Sequence, residues 1–205
     1  MSSQQVRHSL AAFVAETDRA LRSERGLDAK LERVAAALGT LLQDRDLLSG
    51  ELALPRRTVW ESYLLYEHPE LGYVVTALIH PPGWVGPPHE HGPTWTVYGV
   101  CEGEEVIRRY ARLDDGAREG YAELRETRAI VAGAGTVDWV RPGEIHSENN
   151  PGADPSVAIV VRSQNLGSVP QHLFDLQRRS VTRIYGRPAL PLRKPEAHPE
   201  RAGRA

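Results

Sequence analysis

The pair His89 and His91, one residue apart inside PPHEHGPTWTVYGVCEG (87–103), constrains this chain more than any other stretch. Successive side chains of a strand point to opposite faces, so an H-x-H on a strand aims both imidazoles to one side and sends Glu90 to the other. The Gly92-Pro93 interruption, followed by the aromatic and β-branched run Trp95 to Val100, reads as strand, tight turn, strand. A third histidine, His146, follows the Pro142-Gly143 turn in RPGEIHSENN (141–150) and precedes the turn-rich Asn149 to Gly152. A lone buried histidine is ordinarily a packing residue. Two imidazoles on one face and a third brought in from a distant turn make a metal-ligand pattern.

The rest of the chain supplies a β scaffold for these residues. Residues 4–23 place Val6, Leu10, Phe13, Val14 and Leu21 on one helical face, with Thr17 the polar member of the stripe, and Ser23 to Gly26 end that helix. A second helix, from about Asp28 to Asp44, presents Leu31, Val34, Ala35, Leu38, Leu41 and Leu42 on one side. Both are expected to pack on one face or end of a sheet structure. Ser49 to Arg57 reads as a linker. Short β-like runs follow at 59–66 and 73–79, joined by His68 to Gly72, and then at 104–113, 122–131, 136–140 and 157–161. The last of these is an apolar strand, a pattern consistent with burial on both faces. This count of short strands with regular turn signals predicts a barrel or sandwich. Beyond Leu166 the pattern weakens, with Val181 to Tyr185 an edge strand or a short helical contact. Residues 186–205, with four prolines among Arg and Ala, read as a tail that is disordered or strapped to the surface.

Composition removes several functional classes. A chain of 205 residues, 40% hydrophobic and 25% charged, fits one domain of ordinary size: a helical segment at 1–50, a barrel at 57–165 and the tail. A formal charge of -2 gives no electrostatic reason to expect nucleic acid or an anionic membrane as partner. No apolar run approaches the roughly 20 residues that span a bilayer. Glu16 and Asp18 interrupt the N-terminal stretch before any secretory signal could form, so a cytoplasmic location is expected. Cys101 is the sole cysteine, which excludes an intramolecular disulfide and a cysteine zinc cluster. No Ser-His-Asp set, phosphate loop or dinucleotide fingerprint is present.

The histidine spacing resembles the cupin superfamily. Its first motif, G-x5-H-x-H-x4-E-x6-G, falls on Gly83, His89, His91, position 96 and Gly103, with Thr96 in place of the glutamate. Its second, G-x2-H-x3-N, falls on Gly143, His146 and Asn150. The resemblance implies a mainly β fold, the cupin double-stranded β-helix or small antiparallel barrel with N-terminal α-helices, and a divalent metal held by His89, His91 and His146 without a carboxylate. Over residues 5–165 the order of elements is similar to that of the bacterial members of the cysteine dioxygenase family. This finer likeness implies Fe(II), dioxygen and a small thiol oxidised to its sulfinate, with zinc, nickel or manganese as alternative ions. A neutral three-histidine shell leaves the ion its full charge and favours an anionic bidentate substrate, which an enolate satisfies as well as a thiolate.

The chain departs from the thiol dioxygenase pattern at two strands. Where that family carries a substrate-binding arginine, this sequence reads Trp60, Glu61, Ser62, Tyr63; where it carries Ser-x-His-x-Tyr, this sequence offers Ile159, Val161 and Ser163. No cysteine-tyrosine crosslink is expected. Thr96 is expected to face the metal without ligating it, and alternation then turns Tyr98 inward, where its hydroxyl would serve substrate or dioxygen. Trp95, Trp139 and Tyr63 are candidate wall residues. Arg162 is the candidate replacement for the missing arginine, since a guanidinium grips carboxylate bidentately. Glu90, His68, His80 and Glu148 read as surface or supporting residues. Two further classes stay open: a metal-dependent isomerase, lyase, hydrolase or diketone-cleaving dioxygenase, and a non-enzymatic ligand-binding cupin. A homodimer is expected by analogy with cupins that pair through their sheets.

Overall fold

The computed structural model describes residues 3–23, 26–49, 52–54 and 57–192, with side chains for all of these except 3–9 and 168. Two helices come first, α1 (Ser3–Arg22) and α2 (Leu27–Leu41). Eight strands then build the centre: β2 (Val74–His80), β3 (His89–Glu90), β4 (Thr96–Glu102), β5 (Glu104–Arg112), β6 (Leu124–Gly133), β7 (Val137–Val140), β8 (Ile145–Asn149) and β9 (Ser156–Arg162). They pair in the orders β2-β9-β4-β7 and β3-β8-β5-β6, so consecutive strands alternate between two facing sheets except at the β5–β6 hairpin, which lies within the second sheet. That interleaving is the double-sheet jelly roll of cupins, and the expected mainly β double-stranded β-helix with N-terminal helices is the fold observed.

Four further strands widen the two sheets to six each. β1 (Glu61–Glu67) flanks β2 and itself pairs in parallel with the short β12 (Leu190–Pro191), while the hairpin of β10 (Pro170–Asp175) and β11 (Ser180–Tyr185) extends the second sheet beside β3. The sheets therefore run past residue 165, where the sequence pattern weakens. Of the anticipated tail, residues 186–192 cross from β11 back to β1, and 193–205 lie outside the described residues.

The first sheet is covered on both faces, which explains its unbroken apolar runs. Tyr73 just before β2, Val75, Ala77 and Ile79 of β2, Val97 of β4 and Val157, Ile159 and Val161 of β9 share one core with Leu31, Val34, Leu38 and Leu41 of α2. Their neighbours Leu78, Tyr98, Val100, Ala158 and Val160 face the space between the sheets. The helices therefore pack on the outer face of this sheet, as their apolar stripes predict; Val6 lies outside the described side chains. Gly99 sits where α2 crosses β4, and a Cβ there would stand 2.7 Å from Leu42 Cδ1 and 2.9 Å from Leu38 Cδ2. Close approach of helix and strand thus favours glycine at this point, since any Cβ would push on both leucine side chains. Among the described residues no helix is long and apolar enough to cross a membrane.

Candidate metal centre

The three histidines meet between the two sheets. His89 on β3 lies directly opposite His146 on β8, and His91 follows as β3 turns away. Gly92 makes that turn possible: its φ is +58°, and a Cβ would fall 2.4 Å from the Pro170 carbonyl oxygen. One candidate ligand nitrogen from each ring lies within 4.8 Å of the others, close enough to hold one ion. Each Nδ1 has an oxygen partner. His89 Nδ1 lies 3.0 Å from the Pro87 carbonyl, His91 Nδ1 3.1 Å from Gln171 Oε1, and His146 Nδ1 3.2 Å from the Glu144 carbonyl. Donation from Nδ1–H to these oxygens fixes one tautomer at all three rings and leaves the Nε2 lone pairs for a metal. A set of imidazoles so oriented fits a divalent ion; its identity is not encoded in the rings.

The electrostatics prepare the same state. Burial, with His146 nearby, lowers His89 from its ordinary 6.5 to about 4. Burial and the two neighbouring rings hold His91 well below its usual value. Neutral imidazoles are what a cation needs.

Glu148, expected to be a surface or supporting residue, stands beside the cluster. It is buried, and its carboxylate stands 3.0 Å from His146 Nε2 and 3.9 Å from His89 Nε2. Burial alone would raise this carboxyl, yet His146 and His89 hold it well below the usual range, in the anionic form. The cluster implied as free of carboxylate has one beside it. The signal was in the sequence: His146-Ser147-Glu148 has the same one-residue spacing as His89-Glu90-His91, so a strand must point both to one face. His68, His80 and Glu90 are likewise buried. Glu90 takes His172 Nδ1 at 2.7 Å, and His68 pairs with Asp18 at 3.0 Å, so these two support the scaffold.

The site opens on a cavity of about 610 Å³, where His89, His91, Glu148 and Arg162 meet walls that include Trp60 and Trp84. Arg162 follows Val160 and Ala158 on the inward face of β9, a parity hidden in sequence because the run is apolar on both sides. Its Nη1 contacts Thr76 Oγ1 at 3.4 Å, and its Nε is buried without a partner. Among the described residues no carboxylate lies within 4.0 Å of its guanidinium nitrogens. Burial lowers it to about 10, with Glu148 and Tyr98 pulling in the other direction, so it remains a cation at neutral pH. The C-terminal crossing lies at the mouth, contributing Tyr185, Gly186, Arg187 and Ala189.

Other candidates fall differently. Thr96 and Tyr98 do point inward, lining a small crevice with His146 and Glu148, and Thr96 Oγ1 is buried without a partner. The Tyr98 hydroxyl, however, donates to the fully buried Glu105, which also accepts from Ser156 Oγ at 2.7 Å. Tyr63 faces the helix-side core, because on β1 it is Ser62 and Leu64 that line the cavity. Trp95 is in that same core, and Trp139 packs against it beneath the Arg141 guanidinium, 4.8 Å from the ring centre. None of these three aromatics lines the 610 Å³ cavity, although Trp139 borders the small crevice beside His146 and Glu148. Gln171 was missed because β10 itself was not foreseen; nothing in the sequence around it singles it out.

No family model matches the chain, and no curated protein does either. Solved structures with partial likeness include a protein with a double-stranded β-helix domain from Klebsiella pneumoniae, at 19% identity over 59% of this chain and 84% of that one, TM-score 0.42. Oxalate oxidase in complex with glycolate aligns at 23% identity over 55% of this chain and 53% of its own length, TM-score 0.40. The cupin domain of Schizosaccharomyces pombe Cnp3 aligns at 11% identity over 57% and 68%, TM-score 0.43. The strand order and the histidine cluster describe this chain as a cupin-type fold with a candidate three-histidine metal site.

Proposed function

We propose that this protein is a metal-dependent cupin enzyme, specifically a non-haem Fe(II) dioxygenase acting on a small organic anion, with a thiol converted to its sulfinate as the first expectation. The observation that carries this reading is the convergence of three histidines, each with Nδ1 engaged by an oxygen, two of which line the cavity that also holds Arg162 without a carboxylate partner. A bound ferrous ion would supply the redox chemistry that joins dioxygen to the substrate. The reaction RSH + O2 to RSO2H balances with no external reductant. His89, His91 and His146 would hold the ion, and Arg162 would take a substrate carboxylate, orienting the rest toward the histidines. Trp60 and Trp84, stacked with ring centres 6.3 Å apart, would exclude water from one side.

A second reading is favoured by Glu148. An anionic ligand or neighbour reduces the charge that draws an anionic substrate onto the ion, which suits a Lewis-acid isomerase, lyase or hydrolase using zinc, manganese or nickel. Elemental analysis of protein purified without chelator, followed by oxygen uptake of the iron-loaded form against thiols and diketones, separates the two. Iron with thiol-dependent oxygen consumption supports the dioxygenase; another ion with no oxygen uptake supports the second reading.

A further inference from the structure

We propose that Glu148 is the fourth protein ligand of the metal, which makes the centre three-histidine, one-carboxylate, with the carboxylate supplied by β8. The inference rests on the reading of His89, His91 and His146 as ligands. In an octahedral shell with bonds of about 2.1 Å, adjacent donor atoms stand about 3 Å apart. Glu148 Oε1 and His146 Nε2 are separated by 3.0 Å. The other carboxylate oxygen, Oε2, lies 3.9 Å from His89 Nε2. Nδ1 of His146 is engaged by the Glu144 carbonyl, so Nε2, the atom that faces Glu148, is the ring nitrogen placed to ligate.

The β4 position that carries a glutamate in the cupin motif holds Thr96, whose buried Oγ1 has no partner in the crevice that Glu148 also lines. A threonine leaves room there, and Glu148 reaches the same crevice from β8. Opposite it on β5 stands Ile107, buried and apolar, and Arg109, the cation of that strand in the same crevice, is engaged by Asp138 at 2.7 Å and the Trp139 carbonyl at 2.6 Å. The arrangement halves the formal charge of a divalent centre, from +2 with three neutral imidazoles to +1.

The test is Co(II) and Mn(II) affinity measured by calorimetry for the wild type, Glu148→Gln and His146→Ala, together with the Co(II) visible spectrum. Expected is a loss of at least about tenfold for Glu148→Gln with a changed Co(II) spectrum. Affinity within twofold of wild type and an unchanged spectrum, while His146→Ala abolishes binding, overturns the assignment of Glu148 and leaves the histidine site standing. A wild type that binds neither ion overturns both. A crystal structure of the Mn(II)-loaded wild type tests the same point without a variant: a Glu148 oxygen within about 2.3 Å of the ion supports the proposal, and one beyond 3 Å refutes it.

Discussion

Replacing Gln171 by leucine removes the acceptor of the His91 Nδ1–H bond at 3.1 Å while nearly preserving side-chain volume. The consequence differs between the metal-free and metal-loaded protein. Without metal, His91 can carry its proton on Nε2 and turn that donor toward the cavity, so no buried donor is orphaned. Leucine also removes Gln171 Nε2, which is buried without a partner, and the folded metal-free protein should change by less than about 1 kcal/mol. With metal, Nε2 must ligate and Nδ1 must keep its proton, now buried against a hydrocarbon. An unsatisfied buried donor costs about 1–3 kcal/mol, which corresponds to a Kd about 5- to 150-fold weaker. Chelator competition with Co(II), alongside urea denaturation of both proteins without metal, measures the two effects separately. Equal metal affinity in Gln171→Leu and wild type would refute the argument that this bond sets the His91 tautomer; a large fall in metal-free stability would show that Gln171 is structural instead.

Arg162→Gln should raise KM for a carboxylate-bearing substrate by about tenfold or more, equivalent to the roughly 1.5–3 kcal/mol of a charged hydrogen bond, while metal affinity stays near that of wild type; loss of metal instead would make Arg162 part of the ligand scaffold. Gly99→Ala drives a Cβ to within 3 Å of Leu38 and Leu42 and should cost about 1–3 kcal/mol in urea denaturation without altering metal binding. Asn150→Ala removes donors to the His80 carbonyl at 3.0 Å and the Asp154 carbonyl at 2.8 Å and the acceptor for Gly152 N–H at 2.9 Å, so a loss of about 2–4 kcal/mol is expected from the same assay. For the metal-free protein, His89 binds its proton at about pH 4 when folded and near 6.5 when unfolded, so between these values the unfolded chain holds more protons. Stability should therefore be complete above about pH 6.5 and fall as pH drops toward 4; chemical denaturation across that range that shows no such fall would contradict a neutral buried His89.

The histidine pattern, the turn signals and the apolar periodicities were enough to anticipate two helices, a cupin-type barrel and which three imidazoles converge. These are local or strictly periodic properties: period two on a strand decides which side chains share a face, and period 3.6 decides which stripe of a helix is buried. His146 and Glu148 obey the same rule, and their shared face was equally legible. Long-range packing decided the rest. The parity of Arg162 depended on which face of β9 looks inward, and SVAIVVR is apolar on both because helices cover one side and the opposing sheet the other. Tyr63 and Trp95 suit a pocket wall or a core equally by composition, and only the packing of α1 and α2 on the outer face of the first sheet drew them to the helix side, while Trp139 packs against that core and also borders the crevice beside His146. Gln171 reaches His91 across 80 positions because β10 docks beside β3, a pairing made by backbone hydrogen bonds that leave no mark in side-chain pattern. Residue types and spacing therefore decided the chemistry available to this chain, and the pairing of distant strands decided which charged groups share a cavity with it.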